Sequence, residues 1–192
     1  MISDFFLAVL LSIIQGLTEF LPISSSAHLL LPSLLFGAKD FGIVFDISVH
    51  AGTLVAVIYY FKKEILGLLH AWMPWSSNNS KENFSLGLHL IVATLPIVLV
   101  GLLASDLSES RTANINSIAL ANLVFAALLF AAYKSSSQSK SLAELTLFAA
   151  LIIGCFQALA VFPGASRSGM AITGALIIGL NIKDTSRFAF LL

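Results

Sequence analysis

Apolar stretches long enough to cross a bilayer run through this sequence, and in two places a polar break leaves arms too short to cross. A helix needs about 20 apolar residues to span the hydrocarbon core. Residues 43–61, 84–103, 118–133 and 145–162 meet or approach that length. Residues 5–17 and 29–36 do not, and the polar segment 18–28 lies between them. The layout returns where 145–162 runs into the break 163–168 and then the short arm 170–180. Irregular backbone is tolerated at membrane depth only where protein or a wet cavity covers it. The expected fold is an all-α polytopic membrane protein with two re-entrant helix pairs.

Composition agrees. The chain is 58% hydrophobic and only 10% charged, against about 25% charged residues in a soluble domain. Ten basic and ten acidic residues cancel, which leaves no basic field to hold nucleic acid. The single cysteine, Cys155, excludes an internal disulfide and a cysteine metal cage. No cleavable signal peptide is expected, because residues 1–6 lack a basic start. If both re-entrant pairs return to the side they enter from, seven basic residues share one side: Lys62, Lys63, Lys81, Lys134, Lys140, Lys183 and Arg187. Lys39 and Arg111 lie opposite, so the N-terminus is expected outside.

The two breaks are also alike. Gln15–Ser26 and Gln157–Ser168 agree without a gap at five of twelve positions: Gln15/Gln157, Leu17/Leu159, Phe20/Phe162, Ser24/Ser166 and Ser26/Ser168. Three full crossings lie between the copies, an odd number, so the second copy enters from the opposite face. That is an inverted-topology repeat whose broken helices meet near the midplane. Residues 1–141 form the first repeat and 142–192 the start of the second. The same offset predicts about 80 further C-terminal residues, so the chain reads as C-terminally truncated.

Few polar residues remain to carry chemistry. Glu19 and Arg167 fall in different breaks, and an ionised group at membrane depth costs about 2.5–3.5 kcal/mol unless paired or wet. If the tips meet, each charge offsets part of the other's cost. That alone describes a structural lock, but the neighbours favour a site. Gln15 and Glu19 are four apart on one helix face. Ser24, Ser25, Ser26 and His28 follow Pro22 and supply hydroxyls and an imidazole. On the other tip Ser166, Arg167 and Ser168 follow Pro163-Gly164, at the start of a helix. Helix N-termini attract anions, and a guanidinium matches phosphate oxygens bidentately. One tip therefore reads as a phosphate cradle. The other offers metal binding, proton transfer and a nucleophile.

The remaining polar residues read as structural. Asp46 and His50 form either an internal pair or support for the site. His89 stands alone, Asn122 is expected to bond a neighbouring helix, and Pro96 to kink its own. Cys155 reads as a small apolar packer, and Trp72 and Trp75 as an interfacial belt.

At these residues the sequence resembles the bacitracin-resistance family, the undecaprenyl-diphosphate phosphatases of bacterial inner membranes. Gln15-Gly16-Leu17-Thr18-Glu19-Phe20-Leu21-Pro22-Ile23-Ser24-Ser25-Ser26-Ala27-His28 is similar to its first signature. Pro163-Gly164-Ala165-Ser166-Arg167-Ser168-Gly169-Met170-Ala171-Ile172-Thr173 is similar to its second. The resemblance implies hydrolysis of undecaprenyl diphosphate to undecaprenyl phosphate and inorganic phosphate, which recycles the carrier of wall polymers and confers bacitracin resistance. It also implies a multi-pass protein of the inner membrane whose active site opens to the outer, periplasmic face. A divalent cation, magnesium or calcium, and a homodimer come with it.

On that resemblance the catalytic set is Ser25, His28, Glu19 and Arg167. Ser25 is the first choice of nucleophile and His28 of acid or base, with His28 or water left open as the attacking group. Phosphate falls to Arg167, Ser166, Ser168, Gly164, Ser24, Ser26 and Thr173, and the cation to Glu19 and Gln15. One position departs from many members: the first acidic place of the Glu-x-x-x-Glu element is Gln15. The alternative reading is a non-catalytic polyprenyl-phosphate transporter or flippase, which would use the same broken helices without cleaving the lipid.

Overall fold

A computed structural model of the chain describes residues 4–73, 81–103 and 114–192. Among them the secondary structure is α-helical apart from short 3₁₀ turns and one isolated bridge between Lys140 and Leu180. The order is α1 (Asp4–Thr18), α2 (Ser25–Phe36), α3 (Ile43–Tyr60), α4 (Lys62–Ala71), α5 (Lys81–Leu103), α6 (Ile115–Ser135), α7 (Leu147–Ala158), α8 (Arg167–Ile178) and α9 (Ile182–Leu191).

Three of these, α3, α5 and α6, are long and apolar enough to cross a membrane. Their outer faces display Val44, Ile47, Val55, Leu95, Leu99, Leu120 and Leu123. Of α3 only Thr53 is buried. A surface this apolar is stable only where lipid covers it. The chain is thus a polytopic all-α membrane protein.

The stretch 145–162, the first arm of the expected second re-entrant pair, forms a helix shorter than its apolar run. α7 covers 12 residues and tightens into a 3₁₀ turn over Leu159–Val161 before Pro163. One face of it is covered, by Ala149, Ala150, Ile153, Gly154, Gln157 and Ala158, while Phe148, Leu151 and Cys155 are exposed on the other. Small residues let its backbone run against α5. A Cβ added at Gly154 would stand 2.2 Å from the Ala93 carbonyl oxygen, inside backbone that cannot step aside. We therefore expect Gly154→Ala to cost about 1–3 kcal/mol as an overpacked contact, whatever alanine gains in helix propensity. Thermal unfolding of the detergent-solubilised chain should show the lowered midpoint, and an unchanged midpoint would refute this tight crossing.

α8 is the central element. Every residue from Gly169 to Leu176 is buried, so it is covered all round, as an apolar helix in a protein interior should be. It packs on α6, α7 and α9. α1 packs on α2 and α3, where Leu7, Leu11 and Leu29 meet Phe45 and Val49.

The two short helices that follow the breaks are built alike. α2 and α8 each have 12 residues. Ser24 caps α2 by accepting from the Ala27 N–H, and Ser166 caps α8 by accepting from the Gly169 N–H. Left-handed glycines, Gly37 and Gly179, close them. In the sequence, every one of these positions is separated from its counterpart by 142 residues.

A second set of polar contacts ties the connecting loops together. Arg187 pairs with Glu64, the Leu142 N–H donates to Asp184 at 3.0 Å, the Lys140 N–H donates to Gly179 O, and the Asn181 N–H donates to Lys140 O. These contacts gather the basic loops around residues 62–64, 140 and 183–187 at one end. Lys39 pairs separately with Asp4. Two small expectations change here. Asn122 donates to Ile118 O in its own helix and not to a neighbour. Cys155 is exposed, because α7 turns its opposite face to α5 and α8. Trp72 stacks on Phe84 at 4.7 Å. Arg111 and Trp75 lie outside the described residues.

Candidate active site

Each break is a helix end that cannot continue. α1 stops at Thr18, whose hydroxyl bonds back to Ile14 O, and Pro22 stands where another turn would need an N–H. Glu19 follows directly, with its N–H still on Gln15 O. In the second break Gly164 takes φ +98, where a Cβ would also meet Ile118 O at 2.6 Å. This turn delivers Ser166 to the cap of α8 and Arg167 to its first position.

The tips touch. Arg167 Nη2 donates to Glu19 Oε1 at 3.1 Å, across 148 residues of sequence. A second contact is independent of charge: a Cβ at Gly169 would lie 3.2 Å from the Pro22 carbonyl oxygen. Glu19 Oε2 accepts from Gln15 Nε2 at 2.8 Å and from Ser25 Oγ at 2.6 Å. Ser25 and Arg167 hold the same place in their respective copies, the first residue of α2 and of α8, and both converge on one carboxylate.

A small polar cavity of about 90 Å³ opens at this point, lined by Glu19, Ser24, Ser25, Ser26, Ser166, Arg167 and Ser168. One water needs about 10–15 Å³ of such space, so the cavity has room for a phosphate-sized oxyanion. Ser166 and Ser168 hydroxyls stand 3.2 Å apart at its edge. Next to it lies a larger cavity of about 680 Å³ that shares Glu19, Ser26, Arg167 and Ser168 and adds Asp46, His50, Thr53, Gln157 and Phe190.

Not every candidate arrives. His28 lines neither cavity; its Nδ1 donates to Ser24 O at 2.7 Å. Thr173 is buried in α8 with its hydroxyl on Gly169 O at 2.7 Å. Gly164 shapes the turn behind the site and faces a separate pocket with Pro22 and Asn122. Gln15 is fully buried and reaches the site only through its amide N–H on Glu19.

Two residues the sequence placed in the background come forward. His50 Nε2 stands 3.5 Å from Glu19 Oε2, while its Nδ1 donates to Asp46 O at 2.7 Å. The Asp46–His50 spacing therefore marks a backbone contact, and the imidazole belongs to the site. Gln157, the repeat counterpart of Gln15, lines the larger cavity; its Oε1 and that of Gln15 are both buried without a hydrogen-bond partner. The repeat had already paired the two glutamines, and that was the available signal.

In chemical terms, the arrangement is a hydroxyl donating to a carboxylate, beside a guanidinium and a capped helix N-terminus. It is a nucleophile with a base within reach and an anion cradle with preset donors.

Comparison with known proteins agrees. The family model described as bacitracin resistance protein BacA matches residues 8–192. An undecaprenyl-diphosphatase of Saccharophagus degradans is 50% identical over 189 residues, 98% of this chain and 71% of the relative. One of Teredinibacter turnerae is 45% identical over 190 residues, 98% of this chain and 72% of the relative. Undecaprenyl-diphosphatase 1 of Pseudoalteromonas translucida is 44% identical over 185 residues, 96% and 70% respectively.

Proposed function

The chain belongs to the bacitracin resistance protein BacA family, and from that premise we propose how its two helix breaks perform the family's reaction. It is a membrane phosphatase that hydrolyses undecaprenyl diphosphate, returning the lipid carrier to cell-wall synthesis. The observation that carries the mechanism is the convergence of Ser25 and Arg167, from different breaks, on Glu19.

The two breaks act as re-entrant pairs of an inverted repeat, 1–141 and 142–192. The identical length and capping of α2 and α8 support this, as does the closeness of the tips. The basic loops gathered at one end support a cytoplasmic placement for that end. The site then opens to the outer face, and the polyprenyl tail stays in lipid while the diphosphate enters the polar cavity.

The terminal phosphate sits between Arg167, the hydroxyls of Ser166 and Ser168, and the first N–H groups of α8. These donors are in place before charge develops on the transferring group, so no reorganisation is needed in the transition state. Ser25 Oγ attacks the terminal phosphorus as its proton passes to Glu19, and the bridging P–O bond breaks to release the lipid monophosphate. Glu19 passes that proton to the departing lipid monophosphate. Water then attacks the phosphoserine, its proton goes to Glu19 and on to Ser25 Oγ as the serine P–O bond breaks, and inorganic phosphate leaves. In this scheme Glu19, and not His28, is the base, because Glu19 accepts the Ser25 hydroxyl at 2.6 Å. Ser24 and Ser26 border the cavity, whereas Thr173 stiffens the first turns of α8.

A divalent cation held by Glu19 and Gln15 does not suit these donors. Gln15 presents N–H to Glu19 and keeps its oxygen buried away from the cavity. Among the described residues no three His, Cys, Asp or Glu side chains form a metal cluster. No step above runs through a cation.

The direct test incubates the purified chain with a polyprenyl diphosphate and measures inorganic phosphate. Turnover supports the phosphatase, whereas binding without release would favour a carrier. Ser25→Ala should abolish any acid-stable phosphoserine and lower turnover by about 10²-fold or more. Full activity in that variant would pass the attack to water.

A further inference from the structure

We infer that a divalent cation reaches this site bound to the diphosphate, as its counter-ion, and is not held by the free protein. The inference rests on the phosphate-cradle reading above and concerns the order in which the two ligands arrive.

Glu19 is the only carboxylate lining the smaller cavity, and its oxygens are already engaged. Oε1 accepts from Arg167; Oε2 accepts from Gln15 and Ser25. A carboxylate offers about four lone-pair positions, two on each oxygen. A cation would have to displace the Ser25 hydroxyl or the Gln15 amide, or approach the one remaining position beside a guanidinium. Charge gives the same answer. Glu19 and Arg167 sum to zero, so the lining of the small cavity carries no net negative charge to draw a cation out of water.

Gln15 fixes this state. Its amide cannot turn to offer oxygen, because that would set a carbonyl against the Glu19 carboxylate and forfeit the 2.8 Å bond. Its oxygen is turned into the protein, away from the cavity. Asp46 and His50 share the larger cavity with Glu19, but among the described residues these three do not form a cluster able to hold a metal ion. A diphosphate changes the balance. It occupies the donors of Arg167 and α8, loosens the hold of Arg167 on Glu19, and brings several negative charges with oxygens suited to hard cations.

Equilibrium dialysis of the detergent-solubilised chain against Mn²⁺ tests this, with and without labelled methylenediphosphonate, whose P–C–P bridge is not hydrolysed. We expect Mn²⁺ retention by the protein to rise at least about tenfold when the diphosphonate is present. Gln15→Glu adds a second carboxylate and should retain Mn²⁺ without diphosphonate. Arg167→Ala, which removes the competing positive charge, should do so as well. An equivalent of Mn²⁺ held by the unaltered chain alone would overturn the inference. So would the absence of any gain in both variants, or diphosphonate retained without Mn²⁺ accompanying it. Failure to retain diphosphonate under every condition would instead defeat the phosphate cradle, and this inference with it.

Discussion

Arg167→Ala is expected to lower turnover by about 10²–10³-fold, the usual loss when one preset donor to a transferring group is removed. KM should rise as well, because the guanidinium also binds the ground-state diphosphate. Stability should fall by about 1–3 kcal/mol at most, since Glu19, 22% exposed, loses its charge partner but keeps its hydrogen bonds from Ser25 and Gln15. The α8 cap, built by Ser166, stays in place. Arg167→Lys keeps the charge but loses the planar fork, and should restore only part of the rate. The competing explanation is an ion pair that merely locks the two tips together. Exchanging the charges, Glu19→Arg with Arg167→Glu, separates the two. A lock would be rebuilt by the exchange, whereas a phosphate clamp facing a base would not. Phosphate release at the wild-type rate from the exchanged protein would defeat the catalytic reading.

Much of this site was legible because membrane depth makes polar residues costly. A carboxylate and a guanidinium inside apolar sequence need partners, and the two breaks offered each other. Helix starts were equally readable: serines just ahead of apolar arms became the caps of α2 and α8. Depth was harder to read. Residues 145–162 have the composition of a crossing, yet α7 is a 12-residue helix with one covered face. Only its backbone approach at Gly154 explains why it is so rich in small residues. The histidines show the other limit. His28 lies three residues after Ser25, but the rotation of α2 turns its Nδ1 to Ser24 O. His50 comes from another helix and reaches Glu19 only because Phe45 and Val49 pack α3 against Leu7 and Leu11 of α1. Local spacing describes faces of one helix; it carries no information about which neighbouring helix a face will meet.

Glu19→Gln should show the reverse kinetic pattern from Arg167→Ala. The amide preserves the shape of the side chain and can still accept the Ser25 hydroxyl, but it no longer takes a proton at neutral pH. Loss of a general base costs about 10²–10⁴-fold in turnover, and phosphoserine formation should fall with it. Binding should not weaken. In the wild type Arg167 donates to Glu19 at 3.1 Å and must exchange that partner for phosphate when substrate enters. Replacing the carboxylate removes the competing anion and its repulsion of the diphosphate, so KM should stay level or fall while kcat drops. A variant that lowers kcat and KM together has lost chemistry and ground-state competition, not affinity. The two halves of one ion pair thus move KM in opposite directions, which a purely structural pair has no means to produce. A KM for Glu19→Gln that rises as far as that of Arg167→Ala would show that the carboxylate only positions the guanidinium, and the base would then have to be sought at His50, the other titratable group within 3.5 Å of Glu19.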